Sequence, residues 1–312
     1  EVSEVHWLID ARYRFVSGLF PPQVVVHEVN LKGERPLISA WQTIRRLRRI
    51  GFDAVLDLQG LIKSAVLARL CGFPVYGIDT AELREKPAGW LQRAVRFHPE
   101  ERHVVQQYRR VAAAPFGKHP GHPPGAPIDY VAPTVQKDVS EKLRDDSALT
   151  RLDLAGSRYV VLHSAGGWQT KQLPAETWLA TARGIAERGM TAVFSWGNET
   201  ERQRAAELAA SGGLLLPERL NLSALAVLLS QATAVVGADT GVLHLAAALG
   251  SPTITFWGPS ASWRSAPIGE GHWHIESNPA CGPCFRRSCD HFTCMENIRA
   301  SAILEALDEL AG

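Results

Sequence analysis

The sequence predicts an α/β fold made of two doubly wound, Rossmann-like domains facing a cleft. Three observations predict it. Short apolar runs alternate with segments of helical period. A Pro/Gly-rich stretch over residues 115–134 breaks that alternation, and the same alternation then restarts. The 312 residues suffice for two domains of roughly 100–200 residues each. The expected division is 1–135 and 136–312.

Val5–Ile9 and Val24–Val26 read as strands. Residues 38–50 read as a helix, with Ile38, Trp41, Ile44 and Leu47 as its apolar stripe and Arg45, Arg46, Arg48 and Arg49 largely off it. Ala54–Leu58 is a short buried strand, followed by Gly60 and a helix to about Leu70. A polar helix is expected near 136–149. Beyond it, Tyr159–His163, Thr191–Trp196, Ala234–Gly237 and Thr253–Trp257 read as strands. They are separated or followed by helices near 174–188, 198–211, 241–249 and 297–311. Strands alternating with helices imply parallel sheets, whose ligands bind beyond the C-terminal strand ends.

Apolar residues make up 46% and charged residues 21%, with a net charge of +1. No global field points to nucleic acid, so an anionic partner must meet a local basic patch. No apolar run approaches the ~18 residues that span a bilayer. Glu1-Val2-Ser3-Glu4 is not a signal peptide. The missing initiator Met marks the sequence as a fragment or incompletely shown. Four of the five cysteines crowd into 281–294, unlike a dispersed disulfide scaffold, which favours a cytosolic protein.

The strongest chemical signal is Gly237-Ala238-Asp239-Thr240-Gly241-Val242-Leu243-His244, a strand end opening a helix. Backbone N–H groups at a helix N-terminus are unpaired and carry partial positive charge, which suits phosphate. Gly241 lets a ligand approach, Thr240 adds a hydroxyl, and Asp239 can accept from sugar hydroxyls. Asp239 or Thr240 could equally serve only to cap the helix. A second loop, His163-Ser164-Ala165-Gly166-Gly167-Trp168-Gln169-Thr170-Lys171, also follows a strand. Its glycines expose backbone donors, and Lys171 offers an ammonium to a diphosphate. It lacks P-loop spacing, and Lys171 could be an ordinary surface lysine. In a third segment Trp196 could lie against a base, and Glu199 or Glu201 could hold ribose hydroxyls. Acids favoured by a helix dipole are the alternative.

Taken in order, H-S-A-G-G-W-Q-T-K, W-G-N-E-T-E-R, G-A-D-T-G-V-L-H and W-G-P-S resemble glycosyltransferase family 9, the ADP-heptose:lipopolysaccharide heptosyltransferases. Asp57-Leu58-Gln59-Gly60-Leu61-Ile62-Lys63-Ser64-Ala65 and Leu83-Arg84-Glu85-Lys86-Pro87 are similar to acceptor-side segments of heptosyltransferase I. The resemblance implies a GT-B fold and inverting transfer of heptose from ADP-heptose to the Kdo-bearing inner core of lipopolysaccharide. It implies donor binding by Ser164, Ala165, Gly166, Gly167, Lys171, Trp196, Glu199, Glu201, Asp239, Thr240, Gly241, Val242 and His244. Lys171 and Asp239 are the implied catalytic residues, and Gln59, Lys63 and Arg84 the implied acceptor contacts. The Arg45–Arg49 run reads as an exposed helix face that could also touch the inner membrane. The implied location is cytoplasmic, peripheral to that membrane.

The sequence departs from the family in three ways. The family's opening strand, loop and general-base Asp would precede Glu1. Ala165 and Gly166 stand where Thr or Ser is common. Leu173 stands where an aromatic is common. Rival readings are a protein O-heptosyltransferase, a nucleotide-sugar epimerase and a non-catalytic nucleotide-sugar-binding protein.

Cys281, Cys284, Cys289 and Cys294 give C-x2-C-x4-C-x4-C, a finger whose thiolates could hold one structural Zn or Fe. Reduced thiols or disulfides are the alternative. Arg286, Arg287 and His291 make the finger basic, so it could lie near the acceptor. No cofactor is required for the transfer itself, because Lys171 and the helix terminus can stabilise the departing diphosphate.

Overall fold

The computed structural model describes residue 2 and residues 4–117, 126–136, 152–154, 156–290 and 292–311. The chain divides into two compact units, Glu1–Val131 and Ala132–Gly312. Residues 118–125 of the Pro/Gly-rich stretch lie outside the described residues. So does the polar helix expected near 136–149, from residue 137 onward.

The second unit contains a six-stranded parallel sheet. Its strands are β6 (Tyr159–His163), β7 (Thr191–Phe194), β8 (Leu214–Leu215), β9 (Ala234–Ala238), β10 (Thr253–Trp257) and β11 (His272–Glu276), in the order β11-β10-β9-β6-β7-β8. Every residue of β6, β9 and β10 is buried, because helices cover both faces of the sheet. Helices Ala175–Glu187, Glu199–Ala209 and Ala300–Ala311 contribute to one core with Phe194, Val236, Ile254 and Phe256. Helices Leu222–Ser230 and Gly241–Ala248 contribute to the other with Tyr159, Val161, Val193 and Val235. This is the doubly wound sheet that the alternation predicts. The strand order reverses between β6 and β9, which pair with His163 opposite Gly237. Such a switch point leaves a crevice at the C-terminal strand ends.

The first unit differs from its expectation. Its strands form two parallel sheets rather than one. β1 (Val5–Asp10) pairs with β2 (Val24–Val29). β3 (Val55–Asp57), β4 (Val75–Ile78) and β5 (Arg93–Val95) pair in that order. β2 and β3 are consecutive in the chain yet do not pair. Alternation reports element type, not which strands hydrogen-bond. Among the described residues β1 keeps one unpaired edge, and its Val5, Trp7 and Leu8 are exposed.

Helix α1 (Pro36–Ile50) forms where expected, but its stripe does not hold. Thr43 and Leu47 are buried, whereas Ile38 and Trp41 are exposed. A strict three-residue spacing slips by roughly 60° per step on a helix of about 3.6 residues per turn. Ile38 and Leu47 therefore end on opposite sides. Trp41 lies under the Arg45 guanidinium, 4.6 Å from its ring centre. Helices α2 (Ile62–Leu70) and α3 (Val104–Ala113) complete the unit. The helix-and-strand segments at 75–78, 93–95, 104–113, 222–230 and 272–276 were not among the expected elements.

Candidate active site

Two loops of the second unit leave neighbouring strands at the switch point. The β6 loop runs from Ser164 into a short 3-10 turn, Gln169–Lys171. The β9 turn, Asp239–Thr240, opens the helix Gly241–Ala248. Gly237 is required between them: a Cβ there would meet Leu243 Cδ2 at 2.6 Å and the His163 carbonyl at 3.1 Å.

Lys171 reaches across to the β9 turn. Its Nζ donates to Asp239 Oδ2 at 2.6 Å and to the Asp239 carbonyl at 3.0 Å. His244 Nε2 lies 3.0 Å from Asp239 Oδ1. Lys171 and His244 thus converge on one carboxylate from positions 68 and five residues away. Burial alone would raise the pKa of Asp239, but His244 and Lys171 outweigh it and hold the carboxyl at about 2. The group is ionised at any neutral pH.

The helix terminus faces open space. A Cβ at Gly241 would meet nothing within 4 Å. Leu243 and His244 donate their amides to the Thr240 carbonyl, at 3.2 and 3.3 Å. The amides of Gly241 and Val242 precede that first helical bond, so the helix cannot satisfy them. The Thr240 hydroxyl is buried without a hydrogen-bond partner. Unmade bonds at a buried polar atom cost about 1–3 kcal/mol.

Other expected residues have different surroundings. Ser164 and Ala165 are buried, Gly166 is half-buried and Gly167 is exposed. Only the glycine end of the loop therefore offers an open backbone. Trp196 donates its indole N–H to the Leu216 carbonyl at 2.8 Å and packs against both cores. It braces the sheet. Glu201 accepts from Gly197 N at 2.8 Å and Asn198 Nδ2 at 2.7 Å, while its own amide bonds Asn198 Oδ1. This is a helix cap. Glu199 is ion-paired to Arg202 and exposed. Below the site, His163 is fully buried against Ser195 Oγ at 3.0 Å. Burial depresses its pKa to about 4, so it stays neutral.

In the first unit the structure brings the 57–65 and 83–87 segments together. Glu85 Oε2 accepts from the Ile62 amide at 2.7 Å, and a Cβ at Gly60, at φ +64°, would meet Leu83 Cδ2 at 2.6 Å. Asp57 is buried and orders the turn through the amides of Gln59 and Gly60 and the Ser64 hydroxyl. Gln59, Lys63 and Arg84 are all exposed around this knot. Asp10, at the end of β1, is tied to Arg12 at 2.9 Å and feels the Lys63 charge.

The cysteine finger holds no disulfide. Its four thiols are free, and no group of three or more His, Cys, Asp or Glu converges on a metal position among the described residues. His291 lies outside them. The segment packs on the β10 loop. A Cβ at Gly258 would meet Met295 Sδ at 2.9 Å and Cys294 Cβ at 3.2 Å. Burial raises the pKa of the Cys294 thiol, with the other three thiols adding to the effect.

With this geometry established, comparison decides the family. Residues 40–294 match Glycosyltransferase family 9 (heptosyltransferase). The chain belongs to glycosyltransferase family 9. This family 9 glycosyltransferase is 31% identical over 297 residues to Lipopolysaccharide heptosyltransferase 1 of Pseudomonas aeruginosa, covering 91% of this chain and 78% of that protein. It is 31% identical over 217 residues to the protein of that name from Escherichia coli K12, covering 69% and 63%. Among solved structures, E. coli heptosyltransferase WaaC with ADP-2-deoxy-2-fluoro heptose superposes with a TM-score of 0.71 at 24% identity, covering 98% of this chain and 90% of that one. A family 9 glycosyl transferase from Veillonella parvula reaches 0.75 at 16% identity, covering 99% and 88%. The GT-B fold is therefore that of this glycosyltransferase. No helix among its described residues is long and apolar enough to cross a membrane.

Proposed function

We propose that the protein transfers heptose, with inversion, from ADP-heptose to an anionic acceptor in the Kdo and inner-core region of lipopolysaccharide. The observation that carries the donor half is the meeting of Lys171, Asp239 and the open helix terminus at Gly241 on adjacent strand ends. Negative charge grows on the leaving diphosphate, and a fixed ammonium and helix amides favour it at that point. Asp239 holds Lys171 in place and offers its carboxylate to sugar hydroxyls. The reading calls for no catalytic metal.

The acceptor half rests on Gln59, Lys63 and Arg84, presented on the Asp57–Glu85 knot. Lys and Arg suit the carboxylate and phosphate of such an acceptor. A cytoplasmic enzyme would meet that acceptor at the inner membrane. The face of α1 that exposes Leu37, Ile38 and Trp41 beside Arg45 supports peripheral contact there. The C-x2-C-x4-C-x4-C spacing supports a structural Zn or Fe at Cys281, Cys284, Cys289 and Cys294. Elemental analysis of the purified chain, beside a Cys289→Ser variant, tests the metal; neither metal bound would end that assignment.

The deciding experiment combines calorimetric titration with ADP and turnover of ADP-heptose on Kdo-lipid A. Lys171→Ala is expected to lower kcat by about 100-fold or more. A chain that binds no ADP, or a Lys171→Ala variant with unchanged turnover, would overturn the donor reading. Transfer to a Ser/Thr peptide but not to Kdo-lipid A would overturn the acceptor.

A further inference from the structure

The charge around Lys171 is mostly spent. Its ammonium is paired at 2.6 Å with the Asp239 carboxylate, so together they present almost no net charge. The helix terminus adds only about half an elementary charge. A nucleotide-sugar diphosphate carries two negative charges. Something further must balance it.

The cysteine-rich segment brings a candidate to this loop. The Thr170 hydroxyl, on a buried side chain, donates to the Arg286 carbonyl at 2.6 Å. The Phe285 amide donates to the Pro259 carbonyl at 2.8 Å. These two bonds pin residues 285–286 between the β6 and β10 loops. The next residue, Arg287, places its guanidinium 5.4 Å from the centre of the Trp168 ring. Lys171 Nζ lies over the same ring at 4.4 Å. Two cations share one indole, and the second is exposed. No carboxylate among the described residues pairs with Arg287. Arg204, the other guanidinium at this loop, is occupied by Gln172 and by the Leu173 carbonyl at 2.7 Å. Arg287 is thus an uncompensated cation against the Trp168 ring, whose residue follows Gly166-Gly167 in the loop.

We infer that Arg287 is a donor-binding residue, carried by the cysteine-rich segment to the Lys171 loop to pair with the donor's diphosphate. The inference rests on the donor reading above. It gives the segment a role at the donor loop, within the second unit. The Trp168 ring preorganises the guanidinium by a cation–π contact, so little rotamer freedom is lost on binding. A guanidinium also matches two phosphate oxygens at once.

The test is calorimetric titration of the full chain with ADP and, by competition, with adenosine. Arg287→Ala should weaken ADP by about tenfold, as expected for one charge-assisted contact, and leave adenosine within about twofold. Arg287→Lys should recover most of the loss. Thr170→Val, which releases the Arg286 carbonyl, should shift ADP in the same direction by less. With ADP-heptose, Arg287→Ala should raise KM more than it lowers kcat. Unchanged ADP affinity in Arg287→Ala would overturn the inference, as would an equal loss of ADP and adenosine, since that would signal a distorted loop. Failure of the unaltered chain to bind ADP would instead bring down the donor reading, and the inference with it. The titration of the unaltered chain identifies that case by itself.

Discussion

Replacing Asp239 by Asn removes one charge and almost no volume. The structure sets the size of the effect. The fall of the Asp239 pKa from an ordinary 3.8 to about 2 corresponds to about 2.5 kcal/mol of preference for the ionised folded form. Breaking a buried ion pair costs about 3–5 kcal/mol when the surviving charge is stranded. The Lys171 side chain is only 9% exposed, but the amide oxygen of Asn can still accept its hydrogen bond. A loss of about 2–3 kcal/mol at pH 7 is therefore expected. The sign with pH follows from a depressed carboxylate. Its contribution is complete above the unfolded value of 3.8 and disappears as pH falls through about 2. Urea titrations read by the fluorescence of buried Trp178 and Trp257 measure both points. The variant should trail by about 2–3 kcal/mol at pH 7, and by much less at pH 2.5. Equal midpoints at pH 7, or a gap that does not change with pH, would refute the assignment of this stability to the Lys171–Asp239–His244 cluster.

Three further outcomes are expected. His163→Gln should flatten an acid loss of stability in the unaltered protein. A histidine depressed to about 4 contributes fully above 6.5 and loses that contribution as pH drops toward 4, which thermal melts across this window will show. Glu101→Gln should destabilise the first unit by about 3 kcal/mol. It strips Arg110 of a two-bond partner at 2.5 Å and weakens the bond from the Ile128 amide, and hydrogen exchange over 98–116 reads the change. Gly237→Ala should cost about 1–3 kcal/mol, because its methyl would strike Leu243 and the His163 carbonyl. Differential scanning calorimetry of the second unit's transition tests this.

The second unit's fold was legible because its central strands are buried on both faces and so read as unbroken apolar runs. The Leu222–Ser230 helix was not, because its sequence, LSALAVLLS, is apolar nearly all round and shows no period. The strand His272–Glu276 was hidden by its own polarity. Its His272 and His274 bond Thr253 and Thr255 across the ladder at 2.9 and 2.8 Å, partners that no local pattern reveals. At the site, Lys171 and Asp239 announced themselves as loops after strands. Their direct pairing, 68 residues apart, did not. Trp196, Glu199 and Glu201 sit where aromatic and acidic side chains would suit a nucleoside. The structure ties Trp196 to the sheet, Glu201 to a helix cap and Glu199 to Arg202. Arg287 was visible only as part of a basic finger. Its neighbour Trp168 lies more than a hundred positions earlier, so proximity came from tertiary packing alone.

The two units are unequally secured. The second encloses a six-stranded sheet between two extensive apolar cores, whereas the first has a small buried cluster of Ala65, Leu83 and Ala88 under short strands. Local opening follows such differences. Mild denaturant should therefore melt the face that carries Lys63 and Arg84 before the sheet that carries Lys171 and Asp239. On the proposed assignment, a half-molten enzyme would still be titrated by ADP long after it had lost the means to use its donor.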